Sequence, residues 1–129
     1  MIALDTSAVI AIGLREPGWE DLFMVLSRER DSVMSAVTLA EIMVVATRRE
    51  IGERMPSFLA TIGSKIMPVD RAAALRAADI YARWGKGVHP AALNFCDCFS
   101  YDVARQYDCP LLFVGNDFSQ TYIVSAIAL

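Results

Sequence analysis

Apolar positions along the chain fall into short runs that alternate with helically spaced stripes. Ile2-Ala3-Leu4 is an apolar run closed by Asp5, after which Thr6 and Ser7 offer an N-cap to a helix over Ala8–Leu14. Behind Pro17, the spacing Trp19, Leu22, Phe23, Leu26 predicts an amphipathic helix. Ser32–Ser35 reads as a short strand feeding Ala36–Arg49, a segment apolar nearly all round and so expected to be a buried helix. Pro56–Ser64 and Arg71–Trp84 are helical by pattern, with Ile66–Val69 a strand between them. Gly85-Lys86-Gly87 is a break, Pro90 marks a turn or a helix start, and Asn94 caps a helix running to about Tyr107. Leu111–Val114 is a continuous apolar strand closed by Gly115 and Asn116, and Tyr122–Ile127 is read as a final strand. Short apolar strands alternating with helices imply an α/β chain: a central, mainly parallel sheet of four to five strands with helices on both faces. No repeat, low-complexity tract or linker interrupts residues 1–129, so a single domain is expected.

Composition narrows the class. The chain has 129 residues, 55% hydrophobic and 21% charged, enough to fill one core and too few for two ordinary domains. Such apolar content argues against disorder. A membrane span needs roughly 18 or more apolar residues, whereas the longest charge-free stretch is Phe118–Leu129. Asp5 sits where the apolar run of a secretory leader would have to be, with no basic residue before it, so a cytoplasmic protein is expected. Cys96, Cys98 and Cys109 make no disulfide framework, and with His89 the only histidine a zinc site lacks ligands; buried thiols are expected. A net charge of -3 argues faintly against nucleic acid, which usually meets a basic patch. A bound divalent cation would offset that deficit locally. Most of the basic residues are arginine, suited to bidentate phosphate or carboxylate contacts.

Parallel sheets carry their sites at the carboxyl ends of the strands. Asp5 closes the first predicted strand and Asp117 lies just beyond Leu111–Val114. Glu41 is about a turn and a half into the helix that leaves the second strand, and Asp97 is in the first turn of the helix capped by Asn94. Each has a plain structural reading. Asp5 helps cap the first helix, Asp97 partners Asn94 in a cap, and Asp117 is a turn residue. Glu41 resists one, being the only charged residue between Asp31 and Arg48. A buried carboxylate with no arginine or lysine within a helical turn costs several kcal/mol or takes up a proton. Taken together, carboxylates at one sheet edge repel each other unless a cation sits among them, and hard ions such as Mg²⁺ or Mn²⁺ take oxygen ligands. With no Gly-rich phosphate loop and no nucleophilic Cys/His pair, metal-assisted phosphodiester hydrolysis is the chemistry this set suggests.

Four blocks in order carry a resemblance over nearly the whole chain: Ile2-Ala3-Leu4-Asp5-Thr6-Ser7-Ala8, Ala40-Glu41-Ile42, the run Gly85 to Phe99 containing Leu93-Asn94-Phe95-Cys96-Asp97-Cys98, and Leu111-Leu112-Phe113-Val114-Gly115-Asn116-Asp117-Phe118. The chain resembles VapC-like toxins of the PIN-domain ribonuclease family. That resemblance implies a three-layer α/β/α PIN-like fold, an Mg²⁺ or Mn²⁺ site and endoribonuclease activity. It also implies an RNA substrate, an antitoxin partner in a type II toxin–antitoxin pair, and a homodimer. Carried over, Asp5, Glu41, Asp97 and Asp117 form the catalytic and metal-binding set, with Asp5 and Asp97 closest to the ion and Ser7 or Thr6 orienting Asp5. Three positions depart from the pattern. Tyr122 stands where a fifth acid is common, Cys96 replaces a glycine, and Asp102 replaces a small apolar residue. Losing an acid leaves open a catalytically weakened PIN-fold module that acts through protein binding.

Aspartyl-phosphate enzymes also use acids at a sheet edge, but the position two after Asp5 is Ser7, and the only lysines are Lys65 and Lys86. For the partner, Trp19, Leu22, Phe23 and Met24, with a helix bearing Ile51 and Met55, outline a groove for an antitoxin helix; the same residues also read as core stripes. Arg48, Arg49 and Arg54 are placed to meet RNA phosphates or antitoxin carboxylates. His89 is left outside the catalytic set.

Overall fold

A computed structural model describes residues 1–127. The chain runs β1 (Ile2–Leu4), α1 (Thr6–Leu14), α2 (Trp19–Arg28), β2 (Ser32–Ser35), α3 (Ala36–Arg48), α4 (Met55–Ile62), β3 (Lys65–Met67), α5 (Arg71–Trp84), α6 (Phe95–Gln106) and β4 (Leu111–Leu112), then a 3-10 turn at Phe118–Gln120. All strand pairs are parallel, in the order β3-β2-β1-β4. Successive strand residues point to opposite faces, and the two cores follow that alternation. Ile2, Leu4, Met34 and Leu112 pack with α1 and Ile42, while Ala3, Val33 and Leu111 pack with Phe99, Val103 and Trp84. The sheet is therefore covered on both faces, in three layers.

The elements match the hydrophobic pattern closely, with four differences. The first helix is capped by Asp5, not by Thr6 or Ser7: its carboxylate accepts the Ser7 N–H, and the helix begins at Thr6. α3 is buried only along Thr38, Ile42 and Ala46. Its Val44 is 57% exposed, so the expectation of a helix buried all round is corrected. β4 stops at Leu112, because the next free N–H group, that of Val114, turns to the Ser7 side chain. The final strand reduces to one parallel bridge, Leu111 with Ser125, fastened by Leu111 N–H to Val124 O and Ala126 N–H to Leu111 O. Pro90 starts no helix and lies in a turn. A side chain at Gly85 would collide with the Tyr81 carbonyl, so glycine alone lets the chain leave α5 there and pair beside Leu93. Among the described residues no helix is long and apolar enough to cross a membrane.

Candidate acidic active site

The four candidate acids stand on four different parts of the fold. Asp5 follows directly on β1 and is 4% exposed. Its burial is supported by hydrogen bonds to both oxygens. Oδ2 accepts from Ser7 N–H at 3.1 Å and Ser7 Oγ at 2.5 Å, and Oδ1 accepts from Ser100 Oγ at 2.6 Å. Ser7 Oγ in turn accepts the Val114 N–H at 3.0 Å, which ties β1 to the end of β4. Ser100 Oγ also lies 3.3 Å from Thr38 Oγ1 on α3. Of the two hydroxyls beside Asp5, Ser7 is therefore the one that orients it. Thr6 Oγ1 is buried without a partner.

Asp97 is the N3 residue of α6 and completes a capping box. Its Oδ2 accepts the Asn94 N–H at 2.9 Å, while Asn94 Oδ1 accepts the Asp97 N–H at 2.8 Å. The structural and functional readings of Asp97 thus hold together, since one oxygen caps the helix and the other has no donor among the described residues. Burial pushes its pKa up to about 7; the Asn94 hydrogen bond opposes this, and the charges of Asp5, Asp117 and Glu41 add to it. Asp5, Glu41 and Asp117 therefore lie within electrostatic reach of Asp97.

Glu41 and Asp117 are more open. Glu41 is half-buried, not buried, which removes the desolvation argument for it and leaves the convergence on Asp97 as the reason to keep it. Asp117 is exposed and precedes the 3-10 turn, whose N-terminus it does not cap. Cys96 also belongs to these surroundings. Burial pushes its thiol up to about 11, and the charges of Glu41, Asp97 and Asp5 push the same way, so it faces the acids as a neutral S–H. The Cys98 thiol is buried, and Cys109 is half-buried.

The sequence reading missed Ser100 and Thr38. Ser100 lies three residues after Asp97, one helical turn on the same face, and that spacing was the available signal. Two of the departures lie elsewhere. Asp102 is paired in a bidentate bond with Arg76, Nε to Oδ1 at 2.7 Å, and so joins α6 to α5. Tyr122 receives an Arg83 N–H at 2.8 Å and stands edge-on to Trp84. His89 packs edge-on against Trp84 and accepts the Ala91 N–H through Nδ1, a loop-shaping role.

Among the described residues, no three His, Cys, Asp or Glu side chains close into a ready metal cage. The donor set nevertheless fits a hard divalent ion. Such an ion keeps several waters and takes one or two carboxylates directly, and the crowding that raises the Asp97 pKa is what a cation relieves.

An apolar groove of about 330 Å³ lies apart from the acids, lined by Ile12, Trp19, Phe23, Ile51, Met55 and Phe58 with Arg15 and Arg54 at its margin. Of the groove residues expected from sequence, Leu22 is buried in the core instead, and Ile51 precedes α4 instead of lying on it.

Comparison with known proteins places the fold in a family. The PIN domain family model matches residues 2–124, and the chain belongs to the PIN-domain family. Within it the chain is VapC-like. It is 42% identical over 125 residues to the ribonuclease VapC36 of Mycobacterium tuberculosis, covering 92% of this chain and 88% of that protein. It is 33% identical over 139 residues to a VapC ribonuclease of Rhizobium meliloti, covering 94% and 98%. The fold is shared with the sarcin-ricin loop cleaving toxin VapC20 of M. tuberculosis, at a TM-score of 0.79 and 18% identity over 96% of this chain and 97% of that one. It is also shared with a chain of a toxin–antitoxin complex from Klebsiella pneumoniae, at a TM-score of 0.74 and 19% identity over 98% of each.

Proposed function

We propose that the protein is a metal-dependent endoribonuclease, the toxin of a type II toxin–antitoxin pair. The observation that carries this reading is the hydrogen bond from Ser100, one helical turn after Asp97 on α6, to the buried Asp5 at the end of β1, which links the elements bearing two buried carboxylates. Asp5 and Asp97 would hold Mg²⁺ or Mn²⁺ most directly, being buried and fixed by hydrogen bonds, Asp5 on both oxygens and Asp97 on one. When bound, such an ion supplies Lewis acidity toward a phosphoryl oxygen and lowers the pKa of a coordinated water. Glu41 and Asp117, the two acids open to solvent, complete the shell or orient the water that attacks the phosphodiester in line. The P–O3′ bond breaks, leaving a 5′-phosphate and a 3′-hydroxyl. Ser7 and Ser100 hold Asp5 still throughout. A binding module without activity is not favoured, since all four candidate acids are present and three of them act on the fourth, Asp97.

The apolar groove beside α2 and α4 suits one face of an antitoxin helix, and Arg15 and Arg54 suit its acidic residues. The exposed Ala40 and Val44 on α3 offer apolar surface to a second copy, in keeping with a homodimer. The deciding experiment incubates purified protein with RNA and Mg²⁺ or Mn²⁺ beside an Asp97→Asn variant. We expect cleavage by the first and loss of at least a hundredfold in the second. Equal cleavage by both overturns the proposal.

A further inference from the structure

The most exposed large apolar side chain among the described residues is Phe95, 66% open to solvent at the first position of α6. It neighbours Cys96, which faces Glu41, and lies two residues before Asp97. Its ring is braced edge-on against the buried Phe99, at 5.2 Å between centroids and 74° between planes, so one aromatic face stays presented and preorganised. The exposed loop that leads into α6 carries a cation, Lys86. Lys86 donates its backbone N–H to Leu93 O at 2.9 Å, which holds the loop after α5 against the residues that lead into α6. The Lys86 side chain is exposed and forms no ion pair among the described residues. Asn94, next to Phe95 in the chain, is exposed, as are Lys86, Gly87 and Val88 in the loop before α6.

Resting on the ribonuclease reading above, we propose that Phe95 and Lys86 form a nucleotide subsite beside the acids, where a single-stranded RNA base flanking the scissile bond stacks on Phe95 and its phosphate meets Lys86. The physical basis is general. Every base has a π-face, so stacking on one aromatic ring holds single strands with little sequence preference, and a nearby cation follows the backbone. This subsite also supplies positive charge next to carboxylates that would otherwise repel the RNA.

The test measures binding apart from cleavage. In an Asp97→Asn background, fluorescence anisotropy follows a randomised single-stranded RNA titrated with protein, alongside oligomeric state and thermal melting of each variant. Phe95→Ala is expected to weaken binding by roughly tenfold, the loss typical of one stacked base. Phe95→Tyr and Phe95→Trp are expected to restore it, while Phe95→Leu, apolar but without a π-face, is not. Lys86→Ala is expected to weaken binding and to lower the slope of log affinity against log salt by about one. Unchanged affinity in Phe95→Ala, full rescue by leucine, or a loss that tracks a change in oligomeric state overturns the subsite. Absence of both binding and cleavage in the unaltered protein is a different result, and it removes the ribonuclease reading itself.

Discussion

One oxygen of Asp97 closes the cap of α6, and the carboxyl group as a whole is buried among three other acids. Burial and the neighbouring acids favour its protonated form over the opposing pull of the Asn94 hydrogen bond, with a pKa near 7 when folded against about 4 in an unfolded chain. Between those values the folded chain holds a proton that the unfolded chain has released. Stability of the metal-free protein should therefore fall as pH rises from about 4 to about 7 and stay lowered above that. Asp97→Asn keeps an oxygen to accept the Asn94 N–H but carries no charge. It is expected to be more stable than the native protein at pH 8 by on the order of 2 kcal/mol, and equal near pH 4, by urea unfolding with a chelator present. An Asn variant no more stable at pH 8 than at pH 4, relative to native, contradicts the crowding of these acids. Asp5 has both oxygens hydrogen-bonded, by Ser7 and Ser100. Ser100→Ala removes one of those donors, and since groups that orient ligands are typically worth 10- to 100-fold in activity, a fall of about tenfold in cleavage with little change in melting temperature is expected.

At the scale of elements, strands and helices were legible because each buries one face, and burial writes its period into the sequence. β2 and α5 begin and end where the pattern places them, and Asn94 caps α6 as its side chain predicts. What the pattern missed depends on contacts between elements. That Asp5, one of the caps open in the sequence beside Thr6 and Ser7, is the one used follows from where β1 ends against Leu112, whose carbonyl takes the Asp5 N–H. The open face of α3 looks buried in sequence, because apolar residues on a helix do not say whether their cover comes from the same chain. The acids at the strand ends could be placed by topology alone, whereas Ser100 and Thr38 became visible only once α6 and α3 met. Asp102 is another such case. It is buried at the α5–α6 contact and is balanced only by Arg76, itself about one-third exposed. Arg76→Met is expected to cost on the order of 2 kcal/mol by leaving a buried carboxylate unpaired, and adding Asp102→Leu should recover most of that loss. A double variant as unstable as the single one would show that the contact depends on packing instead of charge.

For the molecule as a whole, the net charge of -3 is less informative than its distribution. In the metal-dependent reading, carboxylates gathered at one sheet edge would make a local field that favours a divalent cation. A divalent cation that binds the folded site and not the unfolded chain stabilises by mass action, about 1.4 kcal/mol when it is present at tenfold its dissociation constant. For a domain of this size that corresponds to a rise of roughly 3 to 6 °C in melting temperature. Mg²⁺ or Mn²⁺ is accordingly expected to raise the melting point of the native protein, and a chelator to reverse it. Asp5→Asn and Asp97→Asn should each blunt the response. NaCl at matched ionic strength serves as the control, because it screens repulsion between the acids without occupying a site. An equal rise with NaCl would mean that the cluster is relieved by screening alone, and the metal-dependent mechanism would lose its physical basis even if the RNA were still bound.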